Sequence, residues 1–271
     1  MDVPFKGFQW VCRTDIGKVR GRNEDAVGVF PDVGLGVVSD GMGGASAGDL
    51  ASQWVVEALA DVFSGGDIEP QGARKYALEG ALREVNGRIR RHAREQGFKA
   101  MGATLCACLL DPACPGRATL CTLGDSRAYR FRAGGLGRLT RDHTVANELP
   151  GGADLRPELG RLLTRAVGME NEPRPQWTEV TLAPGDRLLL CSDGLTSALS
   201  DVALEKALAQ GLPPEAQADA LLAQALATEA RDNVSFALLT MPSPLPPPIA
   251  FPEEVQAEGA YLETIVGRKE V

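Results

Sequence analysis

The sequence predicts an α+β fold, a sandwich in which helices cover mostly antiparallel sheets. Three observations lead there. Strand-like and helical patterns come in blocks (strands, two long helices, strands, two more helices and a last strand), not in the alternation that a doubly wound sheet requires. The strand candidates are short β-rich runs separated by Pro, Gly and Asp. An apolar fraction of 44% over 271 residues is enough core for one large domain or two small ones.

In chain order, residues 8–15 alternate loosely and predict the first strand. The loop from Thr14 to Asp25 sets Arg20 and Arg22 just before Glu24 and Asp25. The apolar run from Leu35 to Val38 predicts a buried strand ending on Asp40, glycines and a helix start. Residues 46–63 space Leu50, Trp54, Val55, Leu59 and Val62 as a helix, with Ser64-Gly65-Gly66-Asp67 as the stop. A second helix covers 71–96, and its outer face of Arg88, Arg90, Arg91, His92 and Arg94 reads as solvated surface and not as a binding site.

From Met101 the period changes. Residues 105–110, 118–123 and 128–132 predict an antiparallel meander, with Gly124-Asp125-Ser126-Arg127 as a tight turn bearing a carboxylate. Residues 142–163, with Pro150-Gly151-Gly152 and Pro157, predict an exposed excursion of the kind that often carries substrate selection. Strands at 179–182 and 187–191, helices at 201–210 and 214–230, and a strand at 233–240 complete the body. A proline-dense stretch then separates a domain of residues 1–241 from a linker and tail at 242–271. In that tail Tyr261, Leu262, Ile265 and Val266 form an apolar patch suited to docking on the body or a partner.

A net charge of −8 argues against a nucleic-acid binder that neutralises phosphates over a broad surface. No apolar run reaches the length of a membrane span and the first residues lack a signal-peptide pattern, so the expectation is a cytoplasmic protein without a membrane partner. The six cysteines form no C-x-x-C pair and several fall in strand-like runs, which predicts reduced, buried thiols.

Asp40, Asp125, Asp193 and Asp232 each lie at an end of a predicted buried strand. Asp40 alone reads equally as a metal ligand or as a turn residue capping a helix; the repetition favours the metal. Carboxylates with almost no histidine among them favour Mg2+ or Mn2+ over Zn2+. The arginines before Glu24 and Asp25 suit a phosphate held against metal ions, with a solvated charge run as the alternative. The glycine spacing after Val38 fails for a dinucleotide site, no P-loop occurs, and no G-x-S-x-G elbow accompanies either histidine. Acids plus arginine fit a two-metal hydrolase of phosphate esters, a logic that nucleases share.

Seven motifs in order, across nearly all of residues 8–241, make the chain resemble the PP2C (PPM) metal-dependent serine/threonine protein phosphatases. They are Val19-Arg20-Gly21-Arg22-Asn23-Glu24-Asp25, Ser39-Asp40-Gly41-Met42-Gly43-Gly44, Met101-Gly102-Ala103-Thr104-Leu105, Gly124-Asp125-Ser126-Arg127-Ala128-Tyr129, Leu163-Thr164-Arg165-Ala166-Val167-Gly168, Ser192-Asp193-Gly194-Leu195 and Asp232-Asn233-Val234-Ser235. The resemblance implies two central antiparallel sheets flanked by helices and a binuclear Mn2+/Mg2+ site in a cleft at one end. It implies that Asp40 bridges the metals, with the Gly41 carbonyl on one and Asp193 and Asp232 on the other. Glu24 and Asp25 hold a metal or its waters, Arg20 binds phosphate, and Asp125 with Asp193 takes a third, looser ion. The implied substrates are phosphorylated proteins, products of a serine/threonine kinase, hydrolysed by a metal-activated water. The different-class alternative is a catalytically silent family member acting as a binding or regulatory module.

Two departures stand out. Met42 occupies the place where eukaryotic members often carry a histidine, which removes a general acid and leaves His143, in the excursion, as a stand-in. The excursion is also shorter than the usual bacterial flap.

Overall fold

All strand pairings in the two sheets are antiparallel. The structure, a computed structural model, describes residues 5–43, 47–63, 70–151 and 155–246. Its elements are β1 (Gln9–Asp15), β2 (Asp25–Phe30), β3 (Leu35–Met42), α1 (Ala47–Asp61), α2 (Gln71–Gln96), β4 (Gly102–Ala103), β5 (Leu105–Leu110), β6 (Arg117–Leu123), β7 (Arg127–Arg132) and β8 (Gly135–Arg138). Then follow α3 (Val145–Glu148), α4 (Pro157–Gly160), β9 (Gln176–Thr181), β10 (Arg187–Cys191), α5 (Asp193–Ala198), α6 (Asp201–Leu208), α7 (Pro214–Leu226) and β11 (Val234–Thr240).

One sheet has the order β1-β11-β10-β7-β8; the other runs β2-β3-β5-β6-β9, with β4 paired to β3. Three apolar layers hold the stack together. Leu59, Leu82, Val85 and Ile89 of α1 and α2 pack on Val37, Leu105 and Leu109 of the second sheet. Val38, Cys106, Leu120, Leu188 and Leu239 fill the space between the sheets. Leu204, Leu221 and Ala225 of α6 and α7 cover Leu189, Phe236 and Leu238. Because each sheet is covered on both faces, β5 is buried at every position and its sequence, LCACLL, shows no polar alternation. This is the predicted α+β sandwich of two antiparallel sheets between helices.

Helix α2 has the predicted span, since Leu78, Leu82, Val85 and Ile89 recur at helical spacing and are all buried. Gly97 ends it with φ 72°, a left-handed conformation that lets its N–H reach the carbonyls of Ala93 and Arg94. The face read as solvated is exposed at Arg88, Arg91 and Arg94 but also makes contacts: Arg88 stacks 3.9 Å over the Trp54 ring, and His92 packs edge-on against Trp54 at 5.2 Å.

Several expectations are corrected. The predicted meander breaks after β6, because β7 belongs to the other sheet, where it pairs with β10 and β8. Residues 124–126 therefore carry the chain from sheet to sheet and do not close a hairpin. β3 extends past Val38 through Asp40 to Met42, and a short helix, α5, begins at Asp193. The excursion is not exposed at its base, since Asp142, His143 and Thr144 are buried. Cys106, Cys108, Cys121 and Cys191 are free and buried as expected, whereas Cys114 is exposed. The expected helix stop at 64–67 and the tail with Tyr261, Leu262, Ile265 and Val266 lie outside the described residues, as do Gly44 and Gly152.

Candidate metal centre

The acids singled out from sequence come from five separate stretches and meet at one end of the sheets. Arg20 lies in the loop after β1, Glu24 directly precedes β2, and Asp25 is the first residue of β2. Asp40 and Gly41 are in β3, Asp125 is in the crossing after β6, Asp193 opens α5, and Asp232 precedes β11. Arg20, Glu24, Asp40, Gly41, Asp125, Asp193 and Asp232 line a cleft of about 310 Å3. Asp25 is buried and pairs directly opposite Asp40 in the β2–β3 register.

The backbone brings them this close through glycine. A Cβ at Gly41 would stand 2.0 Å from the carbonyl oxygen of Gly48 in α1 and 2.6 Å from that of Glu24. A Cβ at Gly194 would meet the Asn233 carbonyl oxygen at 1.8 Å. Any side chain at either place would push apart the elements that carry Asp40 and Asp232.

Charge of one sign accumulates in the cleft. Burial, and next the carboxylates of Asp25, Asp193, Asp125 and Asp232, push the Asp40 carboxyl well above its ordinary range. Burial raises Asp25 to about 7, with Asp193 and Asp232 adding to the shift and hydrogen bonds from Ser235 and Ser192 opposing it. Burial, then Asp193 and Asp142, raise Asp125 to about 7. Asp193 is raised by burial and Asp232 but eased by a hydrogen bond with Asp40. Such a cluster is costly without a cation.

Among the described residues no three acid, imidazole or thiol groups already converge as a coordination sphere. Two of the acids lean on neighbours: Arg20 donates to Asp232 Oδ2 at 2.7 Å, and the Ser192 hydroxyl donates to Asp25 Oδ2 at 2.8 Å. Asp25 Oδ1 is buried and has no hydrogen-bond partner. An orphaned carboxylate oxygen beside other carboxylates, with no histidine lining the cleft, fits hard divalent cations of the Mg2+ or Mn2+ type.

Residues that sequence reading did not assign hold these acids in place. Asn233 accepts from the Glu24 N–H at 2.8 Å and donates to the carbonyls of Ile16 and Arg22, each at 2.9 Å. It ties the loop of Arg20 to the start of β11. Ser192 stands at the N-cap of α5 without capping it and instead spends its hydroxyl on Asp25. The Thr104 hydroxyl accepts from the Asp40 N–H at 2.9 Å and meets the Ser126 hydroxyl at 2.6 Å, joining β3 to the Asp125 crossing. The sequence signal for these residues is their place in the same short motifs as the acids.

His143 is not the proton donor that Met42 lacks. Its ring is buried, Nδ1 accepts from the Gly124 N–H at 3.1 Å, and Nε2 faces Gln176 Oε1 at 3.2 Å. Burial lowers its pKa, so it stays neutral and anchors the base of the excursion to the turn that carries Asp125.

Comparison with known proteins adds identity to this geometry. The family model for protein phosphatase 2C matches residues 19–234. The serine/threonine protein phosphatase PstP of Mycobacterium tuberculosis is 36% identical over 237 residues, an overlap of 84% of this chain and 44% of PstP. The chain thus spans less than half the length of that relative. The serine/threonine phosphatase stp of Listeria monocytogenes is 31% identical over 244 residues, covering 84% of this chain and 93% of its own. Among solved structures, PppA of Pseudomonas aeruginosa, a regulatory component of T6SS, superposes with a TM-score of 0.78 at 34% identity, covering 87% of this chain and 98% of PppA. The catalytic domain of PstP in complex with two manganese ions superposes with a TM-score of 0.73 at 36% identity, covering 86% and 97%. With its sandwich, its acid-lined cleft and these relatives, the chain belongs to the protein phosphatase 2C family.

Proposed function

We propose that this chain is a metal-dependent phosphatase that hydrolyses phosphoserine and phosphothreonine in proteins. The observation that carries the reading is the group of buried, mutually repelling carboxylates in one cleft with the Arg20 guanidinium beside them. The names of the relatives, serine/threonine phosphatases, support the substrate class, whose source would be a serine/threonine kinase.

Asp40, the Gly41 carbonyl, Asp193 and Asp232 would hold two ions, and Glu24 and Asp25 would hold a metal or its waters. Asp125, which shares the cleft with Asp193, is the residue for a third, looser ion. Two Mn2+ or Mg2+ ions held there would lower the pKa of a water and neutralise the phosphoryl oxygens. The PstP structure with two manganese ions supports that number.

Arg20 is partly exposed and already charged, and a phosphoryl group offers its fork two oxygens where Asp232 now supplies one. Burial of Asp25, opposite Asp40 in the β2–β3 register, limits the screening of the acids by water. Ser192, Asn233 and Thr104 keep the acids oriented. Among the described residues no helix is long and apolar enough to cross a membrane.

Phosphate release from a phosphothreonine peptide, with Mn2+ and with excess chelator, tests the proposal. Release that depends on Mn2+ is expected. Equal release in chelator, or none in either condition, would contradict it.

A further inference from the structure

A second groove opens beside the catalytic cleft, between the last turn of α2 and the turn at Gly168 and Met169. It has a volume of about 390 Å3 and shares one wall residue, Met42, with the cleft. Met42 lies two residues beyond Asp40 in β3 and pairs with Gly102. A Cβ at Gly102 would come within 2.8 Å of the Met42 methyl carbon, so the thioether lies against that bare backbone and forms a low partition between the two spaces.

The chemistry of the groove differs from that of the cleft. Phe98 and Met42 give it a half-buried apolar floor, and Met169, 43% exposed, adds a flexible apolar wall. Arg90 donates to the Met169 carbonyl at 3.0 Å and to Asn171 Oδ1, both uncharged acceptors, so it fixes the shape of the groove while keeping its charge. Arg94 follows one helical turn later on the same face, and Lys99 follows the Gly97 cap. Among the described residues neither Arg94 nor Lys99 has a carboxylate partner, and no acid lines the groove. Three uncompensated cations around an apolar floor, in a chain of net charge −8, mark a surface shaped for an anionic and apolar segment.

The space on the excursion side is unlike it. That cavity, about 770 Å3, is lined by three acids, Asp125, Asp142 and Asp193, against two cations, Arg161 and an Arg127 already bound by Asp142 at 2.8 Å. Its charge balance is acidic, so acid selection is favoured on the Met42 side of the cleft.

We propose that the Met42–Arg94–Lys99 groove is the subsite for the polypeptide flanking the phosphorylated residue, and that it selects substrates with acidic and apolar side chains there. The proposal rests on the phosphatase reading and names the substrate segment of that same site. An extended chain whose phosphoryl group sits at Arg20 and Asp40 leaves the cleft over Met42, meets Phe98 and Met169, and places its carboxylates at Arg94 and Lys99.

The test compares phosphothreonine peptides that carry Glu and Leu on one flank or the other with peptides in which Lys replaces Glu. The enzymes are the full chain, Arg94→Glu/Lys99→Glu and Met169→Ser, all exposed positions, and p-nitrophenyl phosphate is the control. For the wild type, KM should be lower for the acidic peptide on one flank only. The charge-reversal variant should raise that KM about tenfold, with kcat and p-nitrophenyl phosphate kinetics unchanged. Met169→Ser should raise it about threefold for the leucine-bearing peptide. Equal KM values for all peptides, or equal losses on peptides and p-nitrophenyl phosphate, would overturn the proposal. So would a gain on p-nitrophenyl phosphate in the charge-reversal variant, which would assign the groove to the chain's own acidic segment around Glu253, Glu254 and Glu258. If the wild type hydrolyses nothing with Mn2+, the phosphatase reading fails on its own. Fluorescence polarisation of the acidic peptide then decides for the groove, which requires binding that the charge reversal weakens about tenfold.

Discussion

Asp25 and Asp40 face each other directly across the β2–β3 pair, so two carboxylates meet at a register position where sheets ordinarily place apolar or opposite-charge partners. Their repulsion is the cost of the proposed cation site. Asp40→Asn should lower phosphopeptide turnover by about three orders of magnitude, because one change removes charge from both proposed ions. In chelator the same variant should melt a few degrees above the wild type, since a like-charge pair is relieved. Steady-state kinetics with Mn2+ and calorimetric melting in EDTA check the two halves.

The raised carboxyls set a pH dependence. Asp25 and Asp125 titrate at about 7 in the folded protein, mainly through burial, against about 3.9 for an unfolded aspartate. Between those values the folded state holds more protons than the unfolded one. The stability from these groups is therefore complete at low pH and is lost as pH rises toward 7. In EDTA the melting temperature at pH 5 should exceed that at pH 7.5, and Asp125→Asn should flatten the slope. Saturating Mn2+ should reverse it, because binding favours the deprotonated acids.

Arg20 donates to Asp232 across 212 residues of sequence. Replacing it with alanine should raise KM for phosphate esters about tenfold to a hundredfold, with lysine recovering only part because it lacks the bidentate fork. Unchanged KM in Arg20→Ala would remove the phosphate role proposed for it.

Asp125 reaches the cleft from the crossing between the sheets, apart from the strands that carry the other acids. Asp125→Ala should leave two tight ions bound while slowing turnover about tenfold or more. Loss of those ions in titration calorimetry would move Asp125 into the main site.

The acids themselves were legible in the sequence through repetition, since a lone carboxylate at a strand end such as Asp40 reads equally as a helix cap. Asp125, Asp193 and Asp232 at further strand ends are what favour a metal. Their supports were not legible, since Ser192 reaches Asp25 over 167 residues and Asn233 reaches Arg22 over 211. The sheet assignment of β7 had the same cause. Its local pattern suits either sheet, and what turns it away from β6 is the contact of Ser126 with Thr104 and of Gly124 with His143. Helix α5 was too short, at six residues, for periodicity to show. The α2 face is exposed at Arg88, Arg91 and Arg94 as expected, but its contacts were not legible, for a different reason. Arginine serves equally on a solvated helix and against an aromatic ring, and only the fold tells which of Arg88, Arg90 and Arg94 does what.

Titration of Mn2+ into the chain at pH 7.5, beside Asp40→Asn, bears most directly on the metal centre. Two tight sites in the wild type, both lost or strongly weakened in Asp40→Asn, are the predicted result. A wild type that binds no Mn2+, or an Asp40→Asn protein that binds it equally well, would contradict the proposal that these carboxylates were gathered for metal.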